Sequence, residues 1–431
     1  MSIIQSNKLF ACGSNGNGQL GIGSFEDTNI PTSCKFFIAE EQQPESQEFQ
    51  LLQKSFNSSL SVLENLDTKP KVISGGGNHS AIITSSGELW MSGLNDEGQC
   101  GIASNSPRES KFKKVEILDE REVRRWKYVT CGWTFSLAVE EENGYIYSFG
   151  KGVYGELGCS ENVKKTGGRG TRVKGVVGVE KVVCGLRHVV CLNKQGKCFG
   201  WGSNKYGQLT KFDKDHDEKS HKKKKETLYF EPIRIFHDFD LIVTDVACGQ
   251  YHTVLLTSDG ELYTFGLNKY GQLGYDFPNK IKFSDIPKKI EHESIGRVKS
   301  IHCGWNNTII ICDGGKLFVW GRNDHGQCGK NNPEDESDTS GWVDKPVPLY
   351  YLPQNLILGE GFEIEECACG SEHTLIMSKQ GECLSWGWNE HGNCGIGDNE
   401  NRWQPVKVKK TGIIKKVGGG CGNSWIWVQD G

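Results

Sequence analysis

Short apolar runs, each cut off by glycine, recur along this chain from about residue 8 to residue 428. One stretch shows the unit in full. Val246-Ala247-Cys248-Gly249-Gln250-Tyr251-His252 leads into Thr253-Val254-Leu255-Leu256-Thr257 and a Ser258-Asp259-Gly260 break. Glu261-Leu262-Tyr263-Thr264-Phe265-Gly266 and Leu267-Asn268-Lys269-Tyr270-Gly271-Gln272-Leu273-Gly274 follow. Two strand-like runs flank an Asp-Gly pair, which predicts a hairpin turn with positive φ at both central residues. The later glycines predict a second reversal, where a side chain would clash or φ is positive.

The same string returns at a fixed register. A Cys-Gly or Gly-Gly element ends at Gly76, Gly132, Gly185, Gly249, Gly304 and Gly370, and a hairpin glycine follows at Gly87, Gly144, Gly196, Gly260, Gly315 and Gly381. The aromatic-rich strand then closes at Gly93, Gly150, Gly202, Gly266, Gly321 and Gly387. The two ends supply one further copy. Leu9-Phe10-Ala11-Cys12-Gly13 is a second half without a first, and Val417 to Val428 is a first half without a second. Pairing them predicts an all-β, seven-bladed β-propeller over residues 8–428, its ring closed by N- and C-terminal strands within one blade. Closure removes the open sheet edges that a linear array would expose. Blade spacing of roughly 50 to 80 residues leaves room for inserted loops. Three segments read that way by composition, at 39–70 (with an amphipathic, helix-like stretch), 211–227 and 330–345.

Composition narrows the picture further. Glycine, at 55 of 431 residues, has no three-residue period, which excludes collagen, and with only 12 prolines it marks tight turns rather than disorder. A net charge of −4 argues against DNA or RNA binding by the chain as a whole. The first residues lack a signal-peptide pattern and no apolar run is long enough to span a bilayer. Seventeen cysteines, mostly within strand patterns, read as small core residues in a reducing compartment, cytosol or nucleus.

Candidate chemistry is sparse. His79, His188, His252 and His373 recur at the start of the inner hairpin, but Phe135 and Asn307 fill the same slot, which a ring of metal ligands would not tolerate. They read as buried imidazoles bonded to backbone. Cys367, Cys369, Cys184, Cys191 and Cys198 lack paired zinc-knuckle spacing, and the Gly-rich pieces lack a Gly-Lys-Ser/Thr ending. No nucleophile–base set stands out, so no catalytic residue, cofactor or metal ligand is assigned. The aromatics behind the Cys-Gly turn are more informative. Trp133, Tyr251 and Trp305 hold equivalent repeat positions, with Arg187 and Glu372 in other copies, and equivalent positions fall on one end of the ring. These five and Trp388 form the candidate partner-binding rim, since Trp, Tyr and Arg dominate interface energetics. Trp388 and Trp425 equally suit bracing of the closing blade.

The repeat resembles the regulator of chromosome condensation (RCC-type) repeat family over essentially the whole chain. A narrower likeness lies in Trp386-Gly387-Trp388-Asn389-Glu390-His391-Gly392-Asn393-Cys394-Gly395 and Gly419-Gly420-Cys421-Gly422-Asn423-Ser424-Trp425-Ile426-Trp427-Val428. Those segments are similar to the yeast α-tubulin-suppressor, or killer-toxin-insensitivity, type within that family. That resemblance implies a non-enzymatic adaptor, cytoplasmic and nuclear, forming a heterodimer with a small CSL zinc-finger protein and meeting Elongator-associated proteins. Its pathways would be Elongator-dependent modification of tRNA wobble uridines and diphthamide biosynthesis. The alternative that the family implies is guanine-nucleotide exchange on a Ran-type GTPase. An interaction module of another kind, as in ubiquitin transfer, ranks third.

Overall fold

In the computed structural model the described residues are 2–38, 69–102, 106–117, 124–166, 168, 170–210, 227–236, 241–275, 282–291, 295–329, 342–348, 362–410 and 412–429. Among the described residues twenty-eight strands make seven antiparallel four-stranded units, six of them in chain order and the seventh joining the last two strands to the first two. The blade-opening strands are Pro70–Gly75, Trp126–Cys131, Val179–Cys184, Val243–Cys248, Val298–Cys303, Ile364–Cys369 and Ile413–Gly419, in blades one to seven. The chain is a seven-bladed β-propeller. Each second strand of blades one to six, such as His188–Asn193 or His252–Thr257, is buried along its whole length, and that of blade seven is buried up to Val428. A strand covered on both faces by neighbouring blades needs a continuous apolar run rather than alternation. Val189-Val190-Cys191-Leu192 and Val254-Leu255-Leu256 are such runs.

Closure occurs where the end motifs predicted it. Leu9 pairs with Trp427, Ala11 with Trp425 and Gly13 with Asn423, so the seventh blade takes two strands from each end of the described chain. Leu9, Ala11, Phe36 and Trp425 share one buried cluster there. The sheet does not stop at the blade edge. Its outer strand, Thr28–Ile38, runs parallel to the outer strand of blade one, Phe36 facing Phe112, and joins two blades into an eight-stranded sheet. The stacked Phe36 and Phe112 rings, 5.4 Å apart, fill that seam.

Two expectations change in detail. At Asp259-Gly260 only the glycine has positive φ, at 81°. Gly260 N–H donates to the Thr257 carbonyl and Thr257 N–H to the Glu261 carbonyl, both at 3.0 Å. This is a three-residue loop, a type I turn closed by a left-handed glycine, and it spares Asp259 a strained conformation. Residues 342–345 of the third insertion belong to the strand Trp342–Pro348, the outer strand of blade five. Residues 39–68, with the helix-like stretch, 211–226 and 330–341 lie outside the described residues.

Candidate protein-docking face

The turn between first and second strands and the loop after the third come out on the same end of the ring. Alternating strand direction dictates this, and hydrogen bonds fix it: Ser203 N–H donates to Arg187 carbonyl at 2.7 Å and Leu267 N–H to Tyr251 carbonyl at 2.8 Å. The loops are rigid because their own side chains fold them. In the loop after blade three's third strand, Asn204 Oδ1 accepts from Leu209 N–H and Gln208 Oε1 from Tyr206 N–H, both at 2.8 Å. Asn268 and Gln272 repeat the pair one blade on.

At the axis the blade-opening strands surround a cavity of about 110 Å³. Cys131, Cys184, Cys248, Cys303, Cys369 and Cys421 line it, with Gly75 in blade one's place. Burial pushes the Cys184 thiol up to about 11 and the Cys421 thiol up to about 12. These are neutral thiols at pH 7, poor nucleophiles and poor metal ligands. Among the described residues no group of three His, Cys, Asp or Glu could hold a metal ion. Three residues back along their strands, Lys181 Nζ and Asp245 Oδ1 pair at 2.5 Å and tie blade three to blade four.

Two indoles stand at the mouth of this cavity. Trp133 of blade two and Trp305 of blade five reach across the ring until their centroids are 5.9 Å apart. Trp133 is 43% exposed, while Trp305 is half-buried. The remaining rim candidates separate. Arg187 stacks on Tyr154 of the preceding blade, its Cζ 3.9 Å from the ring centroid. Tyr251 packs edge-on against Tyr206, 5.1 Å between centroids. Glu372, at 8% exposure, is buried; its carboxylate accepts from Gln327 Nε2 at 2.8 Å and Arg322 Nη1 at 3.1 Å, and burial raises its pKa. It joins blade five to blade six. Trp388 is half-buried, edge-on to His391 at 5.2 Å and over Gly422 of the closing blade. Trp425 is fully buried in the closing blade's core.

The recurring histidines bond to side chains of the next blade. His79 Nε2 lies 2.7 Å from Ser136 Oγ, His188 Nε2 3.2 Å from Thr253 Oγ1 and His373 Nε2 2.9 Å from Ser424 Oγ. Burial lowers the pKa of His79 and His373 to about 4 and of His188 and His252 to about 3. The expectation of a buried imidazole stands, His79 and His373 meeting backbone at Phe135 and Asn423, and each ring is also partnered by a hydroxyl of the next blade. Tyr154, Tyr206 and Tyr270 are rim residues that the reading of the Cys-Gly turns passed over. Their signal was present: each precedes the Gly-Gln or Gly-Glu of its loop.

The RCC1-like domain family model matches residues 8–426. The chain belongs to the RCC1-like domain family. The secretion-regulating guanine nucleotide exchange factor of Mus musculus is 30% identical to this RCC1-like propeller over 96% of the chain and 82% of the relative. Among solved structures, human WBSCR16 superposes with a TM-score of 0.76 at 20% identity, covering 98% of this chain and all of that one. Prp20p of Saccharomyces cerevisiae superposes at 0.73 with 21% identity, over 100% of this chain and 94% of that one. At such identities the two structures speak for the fold of the RCC1-like propeller alone.

Proposed function

We propose that this RCC1-like propeller is a non-enzymatic adaptor that docks a protein partner on the face carrying Trp133 and Trp305. The observation that carries the reading is the exposed Trp133 ring, braced by Trp305 over the axis. A large aromatic held rigid and half in water loses little entropy on binding and gains much from burial. Burial keeps the Cys184 and Cys421 thiols and the recurring histidines neutral at pH 7, which suits packing rather than bond chemistry. The partner proposed is the small CSL zinc-finger protein that the closing motifs imply, which would carry the metal while this chain supplies shape and anchors. The heterodimer would serve wobble-uridine modification and diphthamide biosynthesis, in cytoplasm and nucleus.

A second reading, guanine-nucleotide exchange on a Ran-type GTPase, is favoured by what the mouse relative is called. The same face would then grip a GTPase and displace nucleotide with its Mg²⁺.

Mixing purified full chain with the CSL protein decides between them. A stoichiometric complex on gel filtration, lost on Trp133→Ala with Trp305→Ala, supports the adaptor. Its absence, together with faster GDP release from the GTPase, would replace the adaptor with the exchange factor.

A further inference from the structure

We propose that one arc of this face, from Tyr154 and Arg187 through Tyr206 and Tyr251 to Lys269 and Tyr270, takes an acidic segment of the protein partner. This rests on the docking reading above and names the chemistry that the partner must present.

The arc differs from the rest of the face in how its charges are met. Elsewhere several charges of the face are met by counter-ions, though Arg108 rests on the Phe25 ring at 4.8 Å and donates to the Gly16 carbonyl. Glu97 sits between Lys151 and Lys165, 2.7 Å from each. Arg322 is held by Asp324 at 2.7 Å and Glu372 at 3.1 Å. His391 faces Asp27 at 2.8 Å, and Arg402 pairs with Asp398 at 2.5 Å. Within the arc the cations rest on aromatic rings instead. Arg187 lies over Tyr154 at 3.9 Å, and Lys269 lies 4.7 Å from the Tyr270 centroid with its Nζ donating to the Tyr270 hydroxyl at 2.9 Å. Among the described residues neither Arg187 nor Lys269 has a carboxylate partner.

A stacked guanidinium keeps its N–H edges free for a carboxylate, and the tyrosine pre-orders it, so less rotamer entropy is lost on pairing. The acids nearby do not compete. Glu156 is buried and turned inward to Tyr154 N–H at 2.7 Å, and Asp285 lies beneath the Gly207 turn. A carboxylate-bearing loop laid along the arc would meet two cations at its ends and find Tyr206 and Tyr251, packed edge-on, for an apolar side chain between them. Nucleic acid fits less well: with Lys205 over the Tyr206 ring at 5.1 Å the arc holds three cations, and in a chain of net charge −4 they make a weak phosphate track.

The test is fluorescence anisotropy of the full chain with a fluorescein-labelled Asp/Glu peptide carrying one central phenylalanine. The same peptide with lysine at every acidic position and a single-stranded oligouridylate serve as competitors. The acidic peptide should bind, weaken with salt, and lose about tenfold in affinity in the Arg187→Ala, Lys269→Ala double variant. Lys71→Ala, on the opposite end of blade one, should bind like the parent. Equal binding of the lysine peptide, an unchanged double variant, or preferential oligouridylate binding would overturn the inference. If the CSL complex is lost on Trp133→Ala but survives the double variant, the docking reading stands and the acidic segment falls.

Discussion

The hydroxyl of Thr308 lies 3.0 Å from His252 Nε2 on the preceding blade and donates to the Gln272 carbonyl at 2.8 Å. Because that hydroxyl proton is committed to Gln272, His252 must carry its own proton on Nε2 and donate it to Thr308. The same triplet recurs as His79–Ser136–Gln99, His188–Thr253–Gln208 and His373–Ser424–Asn393. Each links a second strand, a rim loop and the next blade. Indoles reinforce it: Trp320 Nε1 also donates to the Gln272 carbonyl, at 3.0 Å.

His252→Ala leaves a cavity and removes the donor to the Thr308 hydroxyl, which keeps its bond to the Gln272 carbonyl, and should cost about 2–4 kcal/mol in urea denaturation. His252→Phe should cost less, since Phe135 occupies the equivalent slot in blade two with no exposure. Equal losses for the two would show that the hydrogen bond, and not the filled volume, dominates.

Stability should fall in mild acid. In the fold His79, His188, His252 and His373 have pKa values lowered to about 3 to 4, against an ordinary value of 6.5. A lowered histidine pKa means that the unfolded chain takes up the proton first. The contribution is therefore intact above pH 6.5 and drains away as pH drops toward 4, by about 2 kcal/mol per histidine at pH 5. Thermal melts from pH 8 to pH 5 should show a falling midpoint, shallower in His252→Phe. A flat profile would mean that these rings are already charged in the fold.

The glycine before each histidine makes room for its ring. A Cβ on Gly249 would lie 2.0 Å from His252 Cε1, and the ring is locked by Thr308, so Gly249→Ala should destabilise by about 3 kcal/mol or more. At Gly16 a Cβ meets nothing within 4 Å, and Gly16→Ala should leave the midpoint nearly unchanged.

Closure can be weighed through Trp425. It is fully buried between Leu9, Phe36 and Ile73 of the sealing blades, so Trp425→Ala should cost about 3–5 kcal/mol. Hydrogen exchange should then quicken first in Leu9–Gly13 and Asn423–Gln429, the pair that holds the ring shut. Uniform quickening across all blades would show instead that the ring opens cooperatively.

By itself the sequence determined the number of blades, the strand runs and the way the ends meet. Those follow from local rules: glycine where φ turns positive, apolar runs where both faces are covered, and complementary half-repeats at the two ends. That the Leu9–Gly13 run would meet the closing half-repeat was legible, because incomplete motifs can be completed only by each other; the register, Leu9 facing Trp427, was set by the structure. Which side chains touch across blades was decided only by the tertiary structure. Trp133 and Trp305 belong to non-neighbouring blades and meet because the ring curves them toward one axis. Glu372 shares their repeat position, yet Arg322 and Gln327 of the preceding blade draw it inward. His252 looks like a residue with a backbone partner until blade five places Thr308 beside it. Repeat spacing fixes a position within a blade, whereas contacts between blades depend on the tilt and closure of the ring, to which every blade contributes.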